Sequence, residues 1–250
     1  MAPPRPVVLG NWKMNGLRSE GLALAGTLAE RAVRLTGTLG LFPPATLLAD
    51  VARRVAGTTI LVGGQDCHPE TSGAFTGSLS ATMLKDAGAG AVLVGHSERR
   101  HGLGESDELV RAKAAAALAA GLLAVVCIGE TEAEYLAGET HARLAAQLRG
   151  SLPEGAAPDR LVVAYEPVWA VGTGRTPSVG EIRDAHALIR AQLVARVPDG
   201  AAMRVLYGGS VKAANGAEIM AEPEVDGVLV GGASLDAREF WAIYQAGGGA

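Results

Sequence analysis

The chain has 250 residues, 48% of them hydrophobic and 19% charged, which is enough to bury a large core within one domain. Its net charge is −4 and it has no basic run, so the sequence argues against binding to nucleic acid or to an anionic membrane. The two cysteines, Cys67 and Cys127, form no CxxC pair, so neither a disulfide framework nor a zinc site is predicted.

The sequence also carries no targeting or membrane signal. The first six residues lack the apolar core of a signal peptide. The longest uncharged stretch, residues 114–129, is shorter than the ~18 residues that a membrane span needs. We therefore predict a cytoplasmic protein that has neither a membrane nor a nucleic acid as partner.

Eight short apolar runs, rich in valine, leucine and isoleucine, recur along the chain. They cover residues 7–10, 39–42, 60–63, 92–95, 123–128, 161–165, 204–207 and 228–230. The runs do not alternate polar with apolar residues. Each is therefore predicted to be a strand buried on both faces, as in a parallel sheet covered by helices.

Segments with helical spacing lie between these runs, for example residues 105–120, 130–147 and 178–196. The last begins with a capping box formed by Ser178 and Glu181. Eight strand–helix units predict an α/β protein with a closed (β/α)8 barrel, a single domain over residues 1–250. A doubly wound sheet is the main alternative, but the first strand lacks the glycine fingerprint of that fold, and no P-loop sequence occurs.

In a (β/α)8 barrel the active residues lie at the carboxyl ends of the strands. The polar residues just past the predicted strands are Asn11, Lys13, His96, Ser97, Glu98, Glu130, Glu166, Ser210 and Ser234. A cation, an imidazole and carboxylates on one rim suit acid–base chemistry on a small anion. Glu98 and Glu130 are more readily explained as partners of core cations, because neither adjoins a candidate lid.

Glycine clusters follow the last two strands, GGS at residues 208–210 and GGAS at residues 231–234. Glycine lets backbone N–H groups approach an anion closely, and barrels often bind phosphate at this place. A single glycine pair is equally well explained as a tight turn. Two clusters on adjacent strands favour a phosphate site.

Three residues carry the chemistry in this interpretation, and each has a structural alternative. Lys13, one of four lysines, is either an anchor for an anion or a surface cation at a helix start. His96 precedes a helix start at Ser97, whose N–H donors would disfavour the imidazolium; the alternative is a satisfied core histidine. Glu166 is either a base or the partner of a core cation. No histidine pair has metal-ligand spacing, so no metal or cofactor is predicted.

Residues 167–177 follow Glu166 and have proline at both ends and two inner glycines, which predicts a hinged lid. Two carboxylates at the rim also allow a glycosidase, although ten aromatic residues in all leave little stacking surface for a sugar chain. The sequence GHSER at residues 95–99 fails the nucleophile-elbow pattern at its last position.

Seven motifs, in order along nearly the whole chain, resemble those of the triosephosphate isomerase family. They are GNWKMN (10–15), GAFTG (73–77), VGHSERR (94–100), AYEPVWA (164–170), GTG (172–174), YGGSV (207–211) and DGVLVGGAS (226–234). The resemblance implies a barrel enzyme of glycolysis and gluconeogenesis that needs no cofactor. Its reaction would be the interconversion of dihydroxyacetone phosphate and D-glyceraldehyde 3-phosphate through an enediolate.

The resemblance also assigns roles to residues. Glu166 would be the base that moves a proton between adjacent carbons, and neutral His96 would polarise the carbonyl. Lys13 and Asn11 would stabilise negative charge. The implied substrate-binding set is Asn11, Trp12, Lys13, Gly172, Ser210, Gly231 and Gly232.

A homodimer formed through loop 66–78 is a further implication of the resemblance, with Thr76 supporting Asn11 of the neighbouring subunit. Two other functions stay open from the sequence. One is a related isomerase of a longer ketose phosphate, such as a tetrulose phosphate. The other is a non-catalytic protein that binds phosphosugars, against which the presence of Lys13, His96 and Glu166 together counts.

The sequence departs from the family pattern at three places. Ser78 stands where the family commonly has a glutamate facing an arginine, here Arg99, on the other subunit. Asp66 replaces a frequent asparagine, and Pro177 follows the lid where a small residue is usual. From Ser78 we expect a weaker dimer, because Arg99 would lose a charged contact. From Pro177 we expect altered lid motion.

Overall fold

The structure is a computed structural model that describes residues 5–33, 35–170 and 177–249. These residues form eight strands that pair in parallel and in chain order, and the first pairs with the last to close a barrel. The strands are β1 (Val7–Asn11), β2 (Thr38–Phe42), β3 (Leu61–Gly64), β4 (Ala91–Val94), β5 (Leu123–Ile128), β6 (Leu161–Tyr165), β7 (Arg204–Tyr207) and β8 (Gly227–Val230). The predicted closed (β/α)8 barrel is confirmed, with strand bounds that differ from the predicted ones by at most one residue.

Helices follow the strands and cover the outside of the barrel. They are α1 (Arg18–Arg31), α2 (Ala45–Arg54), α3 (Ala81–Asp86), α4 (Ser97–Gly102), α5 (Asp107–Ala119), α6 (Glu132–Leu136), α7 (Thr140–Ser151), α8 (Val179–Arg196), α9 (Ala213–Met220) and α10 (Ala237–Ala246). The predicted capping box is confirmed, since Ser178 Oγ accepts from Glu181 N–H and Glu181 Oε2 accepts from Ser178 N–H. The single helix predicted over residues 130–147 is two helices, because Gly138 turns the chain with φ +72°.

The core has two layers, and neighbouring residues of one strand point into different layers. Val7 and Leu9 of β1 pack inside the barrel, whereas Val8 packs between the barrel and the helices. Phe42 fills the barrel centre, and a Cβ on Gly63 would overlap its ring. Because both faces of every strand are buried, the strands read as continuous apolar runs, and all eight carboxyl ends open on the same rim.

None of the helices in the described ranges is long and apolar enough to cross a membrane.

Candidate active site

A cavity of about 250 Å³ opens at the rim formed by the carboxyl ends of the strands. It is lined by Asn11, Lys13, His96, Glu166, Gly208, Gly209, Ser210, Val211, Lys212, Leu229, Gly231, Gly232 and Ala233. The structure therefore brings together seven of the residues singled out from the sequence, which come from five different strand ends. They are Asn11, Lys13, His96, Glu166, Ser210, Gly231 and Gly232.

Glu166 directly follows β6 and is only 2% exposed. Glycines on the two neighbouring strands make room for it. A Cβ on Gly129 would overlap the Glu166 carbonyl oxygen, and a Cβ on Gly208 would lie 2.9 Å from its Cγ. Both carboxylate oxygens have partners: Oε1 lies 2.8 Å from His96 Nε2, and Oε2 accepts from Ser97 N–H at 2.9 Å. The site thus holds a buried carboxylate in a fixed orientation.

His96 sits at the corner between β4 and α4. Gly95 makes this corner with φ +69°, and Arg100 stabilises it by donating from Nε to the Gly95 carbonyl at 2.8 Å. His96 caps α4, because its Nδ1 accepts from Glu98 N–H at 3.2 Å. A ring nitrogen that accepts carries no proton, so the proton of the neutral ring lies on Nε2 and faces Glu166.

The pKa values of this pair move in opposite directions. Burial alone would raise the pKa of Glu166, but the His96 ring and the Ser97 N–H hold it below its ordinary value. Burial alone would lower the pKa of His96, but the charge of Glu166 and the hydrogen bond to it raise it. The helix-start donor predicted for His96 is present, since Glu98 N–H donates to Nδ1, but the carboxylate opposite the ring counteracts its effect on the pKa of His96.

Lys13 has an unusual backbone conformation, with φ +52° in a residue that is not glycine. Its N–H donates to Asn11 Oδ1 at 3.0 Å, and its carbonyl accepts from Gln65 Nε2 at 2.8 Å. Such a conformation costs about 1–3 kcal/mol and is found most often at functional sites. The Lys13 ammonium lies 2.7 Å from Glu98 Oε1, whose side chain is largely exposed. Glu98 is thus the partner of a cavity cation.

The two glycine clusters also line the cavity, with Gly208 beside Glu166. Gly232 begins a 3₁₀ turn, and a Cβ added to it would meet nothing within 4 Å. Within the described ranges, the N–H groups of Gly232 and Ala233 take part in no hydrogen bond. Ser210 and Gly231 belong to the same wall. These N–H groups can bind an anion. Gly172, predicted to join them, lies outside the described residues, as does most of the predicted lid.

Two predicted or considered residues are placed away from the cavity. Trp12 is 1% exposed and belongs to the core, and its predicted contact with substrate has no counterpart among the lining residues. It faces Gly21, which has room for the indole because it lacks a Cβ. Glu130 is fully buried and accepts from Trp169 Nε1 at 2.8 Å and from the Tyr165 hydroxyl at 3.1 Å. It therefore bonds to an indole and a phenol instead of the core cation expected for it.

Lys212 lines the cavity although the sequence analysis did not select it. It comes two residues after Ser210, the last residue of the first glycine cluster, and so lies beyond the strand-end positions that were searched. A wider search past each glycine cluster for cations would have found it, because lysine is rare in this chain.

The cavity combines a buried carboxylate, an imidazole N–H, a lysine and backbone N–H groups that make no hydrogen bond in the described ranges. This combination is typical of a barrel enzyme that performs acid–base chemistry on a small anion. The sequence model of the family described as triosephosphate isomerase matches residues 6–247. A triosephosphate isomerase of Bradyrhizobium sp. (strain ORS 278) is 54% identical over 245 residues, 96% of this chain and 97% of that protein. The Xanthobacter flavus relative of the same name is 52% identical and covers 99% of both chains.

A solved structure agrees with these relatives. The crystal structure of triosephosphate isomerase from Bartonella henselae matches with a TM-score of 0.91 and 43% identity, covering 97% of this chain and 98% of that one. The chain belongs to the triosephosphate isomerase family. The resemblance found in the sequence is thereby confirmed, and with it the prediction of an isomerase.

Proposed function

We propose that the chain interconverts dihydroxyacetone phosphate and D-glyceraldehyde 3-phosphate by moving a proton through an enediolate. The observation that carries this proposal is the pair formed by Glu166 Oε1 and His96 Nε2, 2.8 Å apart on the wall of a cavity that also presents unbonded N–H groups. Aldose–ketose isomerisation needs a base for the carbon-bound proton, a donor for the oxygens and an anion site for the phosphate. The cavity offers all three.

Glu166 is the base in this mechanism. Its oxygens are held by His96 and Ser97, so it must give up a partner to reach the substrate carbon. A substrate carbonyl oxygen that accepts a hydrogen bond from His96 Nε2–H provides this release, because it takes the place of the carboxylate. The ring then donates to the developing oxyanion while Glu98 N–H keeps Nδ1 unprotonated. Base and donor thus become available in the same event.

Lys13 and Asn11 stabilise the negative charge of the enediolate, and the N–H groups at Gly232 and Ser210 hold the phosphate. The strained Lys13 backbone supports this role, because its side chain is thereby directed over the cavity. A preorganised cation and fixed dipoles act where charge develops in the transition state, which is the largest single contribution in many enzymes.

The small size of the cavity suits a short phosphorylated substrate. Its volume of about 250 Å³ lies below the ~300 Å³ at which the usual range for ligand sites begins. A coupled assay decides between the functions. We expect kcat/KM for dihydroxyacetone phosphate to exceed that for a tetrulose phosphate at least tenfold. A higher value for the tetrulose would favour the related isomerase, and no turnover of either would favour the non-catalytic binding protein.

We also propose that the protein is a homodimer formed through loop 66–78. Residues 70–79 are all exposed and include Phe75, while Met14 is 96% and Leu103 66% exposed nearby along the same rim. Such apolar exposure is typical of an interface. Within the described ranges Asn11 Nδ2 makes no hydrogen bond, so it is available to Thr76 of a second copy. Sedimentation velocity should therefore give a dimer, and Thr76→Ala should lower kcat.

The weaker dimer expected from Ser78 stays a prediction, but contacts within the subunit reduce the loss expected for Arg99. Arg99 is paired within its own subunit, because its guanidinium lies 2.8 Å from Asp66 Oδ2 and 2.8 Å from Glu105 Oε1. The aspartate in place of the family's frequent asparagine thus supplies the negative charge that Ser78 lacks.

We finally propose a cytoplasmic location for the chain, which acts as one domain; both cysteines are free thiols, as expected in a reducing compartment.

A further inference from the structure

The charges around the cavity do not favour an anion unless Lys212 is counted. The lining residues in the described ranges that carry a positive side chain are Lys13 and Lys212. Lys13 is held at 2.7 Å by Glu98, and the buried Glu166 adds a second negative charge. With His96 neutral, Lys13 alone leaves the cavity net negative in a chain whose overall charge is already −4. Lys212 makes the cavity neutral.

Hydrogen bonds fix the backbone of Lys212 beside the proposed phosphate site. Its N–H donates to Asn215 Oδ1 at 2.7 Å, and its carbonyl accepts from Gly216 N–H at 2.9 Å. Asn215 Nδ2 in turn donates to the Ser210 carbonyl at 3.1 Å. One side chain therefore ties the Ser210 wall to Lys212, and the backbone of Lys212 cannot move independently of the N–H donors of the proposed phosphate site.

The Lys212 side chain itself is exposed and uncommitted. The lysines that form ion pairs within the described ranges are Lys13 and Lys113, and Lys212 is not among them. An exposed cation at the mouth of a cavity raises the local concentration of anions and speeds their entry, and salt screens this effect. Lys13, which Glu98 partly neutralises, is placed at the reacting end instead.

We propose that Lys212 is a specificity-determining residue that binds the substrate phosphate from the outer side of the cavity. This inference rests on the proposed function, since it names a further contact to the same substrate. Lys212 selects dianionic phosphorylated trioses over neutral trioses and takes no part in the proton transfer. The division is testable because an unphosphorylated triose, D-glyceraldehyde, offers the same carbons without the phosphate.

The test compares Lys212→Gln with Lys212→Arg and with the control Lys85→Gln, whose ammonium instead donates to the Ala120 carbonyl on another face. For Lys212→Gln we expect KM for D-glyceraldehyde 3-phosphate to rise about three- to tenfold, the range for a partly exposed charge contact. kcat should stay within twofold, and turnover of D-glyceraldehyde should not change. Lys212→Arg should restore most of the affinity, and Lys85→Gln should resemble wild type.

Two further readouts make the result decisive. Inhibition by inorganic phosphate should weaken in Lys212→Gln, and log(kcat/KM) should depend less on ionic strength than in wild type. An equal loss on both substrates would overturn the proposal in favour of a structural role, and so would unchanged KM and phosphate inhibition. If wild type itself does not isomerise trioses, the proposed function fails. Phosphate binding by the three variants, measured by calorimetry, still decides the role of Lys212.

Discussion

Two clusters of charged side chains lie near the carboxyl ends of the strands, and they differ in how their charges are satisfied. In the cavity cluster, Glu166 contacts the His96 ring, and Lys13 contacts the largely exposed Glu98. Each of these groups has a partner that a substrate can replace. The side chains of the cavity cluster can therefore exchange their present partners for a substrate.

The second cluster, which we call the loop network, consists of Asp66, Arg99, Glu105 and Lys113. The Lys113 ammonium lies 2.8 and 2.9 Å from the two Asp66 oxygens and 2.5 Å from Glu105 Oε1, and Arg99 contacts both carboxylates. Two cations and two anions thus bond to one another, with Lys113 and Glu105 almost fully buried. Burial alone therefore does not distinguish a catalytic charged group from a structural one. The distinguishing feature is a partner that a substrate can replace.

The largest expected effect is on the cavity cluster. Glu166→Gln keeps the size of the side chain and an oxygen for Ser97 N–H but removes the base. We expect kcat to fall by at least about 10²–10⁴, the usual contribution of general-base catalysis. The free energy of unfolding should fall by only about 1–3 kcal/mol, because the amide nitrogen of the new side chain faces the His96 Nε2–H and leaves one buried donor unpaired. Steady-state kinetics and thermal unfolding measure the two effects.

The control for this variant is Glu154→Gln. Glu154 is exposed and precedes β6, so it lies at the opposite end of the strand that carries Glu166. Its kinetics should match wild type. A Glu166→Gln enzyme that retains more than a tenth of wild-type kcat would show that another group is the base.

A substitution in the loop network should lower the stability of the protein and leave its activity nearly unchanged. Glu105→Gln leaves Arg99 and Lys113 with one negative charge between them in a buried place. Breaking a buried ion pair costs about 3–5 kcal/mol, so the free energy of unfolding should fall by that order. kcat per folded enzyme should change little, since none of these residues lines the cavity.

Urea unfolding at one protein concentration measures this effect, and Glu222→Gln is its matched control. Glu222 is paired at 2.6 Å with Arg183, which is more than half exposed, so the same substitution removes a surface pair there. Its effect on stability should be far smaller. If Glu105→Gln instead lost activity at unchanged stability, the division between the two clusters would be incorrect.

The barrel could be predicted from the sequence because its determinants are local. Each strand is an apolar run that ends where a polar residue or glycine reaches the rim, as with Asn11 at the end of β1 and Glu166 directly after β6. The same rule found His96. It could not reveal that the helix predicted over residues 130–147 is interrupted at Gly138, since a glycine within a helical pattern does not by itself show its φ.

What the sequence could not supply were contacts between distant segments. Asp66 follows β3 and Arg99 follows β4, so they meet only when these two strands pair. The sequence therefore suggested a partner for Arg99 on another subunit alone. Trp12 adjoins Lys13 in the chain but faces the opposite side, into the core. Lys212 depends on the path of a loop after Ser210. In each case the missing information was the direction of a side chain beyond the end of a strand.

His186 is a third kind of buried group. In the described part of the chain it has neither a charged partner that a substrate could replace nor a full set of hydrogen-bond partners. Its Nδ1 contacts the Glu224 carbonyl at 3.0 Å, and its Nε2 has no partner within the described ranges. Burial lowers its pKa from 6.5 to about 4, with Asp226 and Arg190 acting on it in opposite directions. Between these pH values the unfolded chain binds a proton that the folded one does not, so stability falls as the pH falls through this window.

The loss attributable to His186 should reach about 3 kcal/mol by pH 4, since each pKa unit is worth about 1.4 kcal/mol. His186→Asn keeps a group able to bond to the Glu224 carbonyl but does not titrate. Its unfolding free energy should therefore depend less on pH than that of wild type between pH 6.5 and 4, with parallel curves above pH 7. Urea unfolding at fixed protein concentration tests this, and identical slopes for both proteins would show that another group causes the pH dependence.

The smallest expected effect concerns the interface that the loop network adjoins. Ser78→Glu restores the glutamate common in the family, but Arg99 already contacts Asp66 and Glu105 in its own subunit. A new glutamate would then have to compete for a satisfied cation, so the dimer Kd should change by less than about fivefold, the range of weak surface pairs.

In an Asp66→Asn background Arg99 loses one of its two carboxylates, and Ser78→Glu should tighten the dimer about tenfold, or ~1.4 kcal/mol. Sedimentation equilibrium on the four proteins of this cycle gives the coupling directly. Ser78→Glu alone could instead tighten the dimer as strongly as it does in the Asp66→Asn background. The loop network would then release Arg99 to a new partner, and its contacts would be exchangeable like those of the cavity cluster.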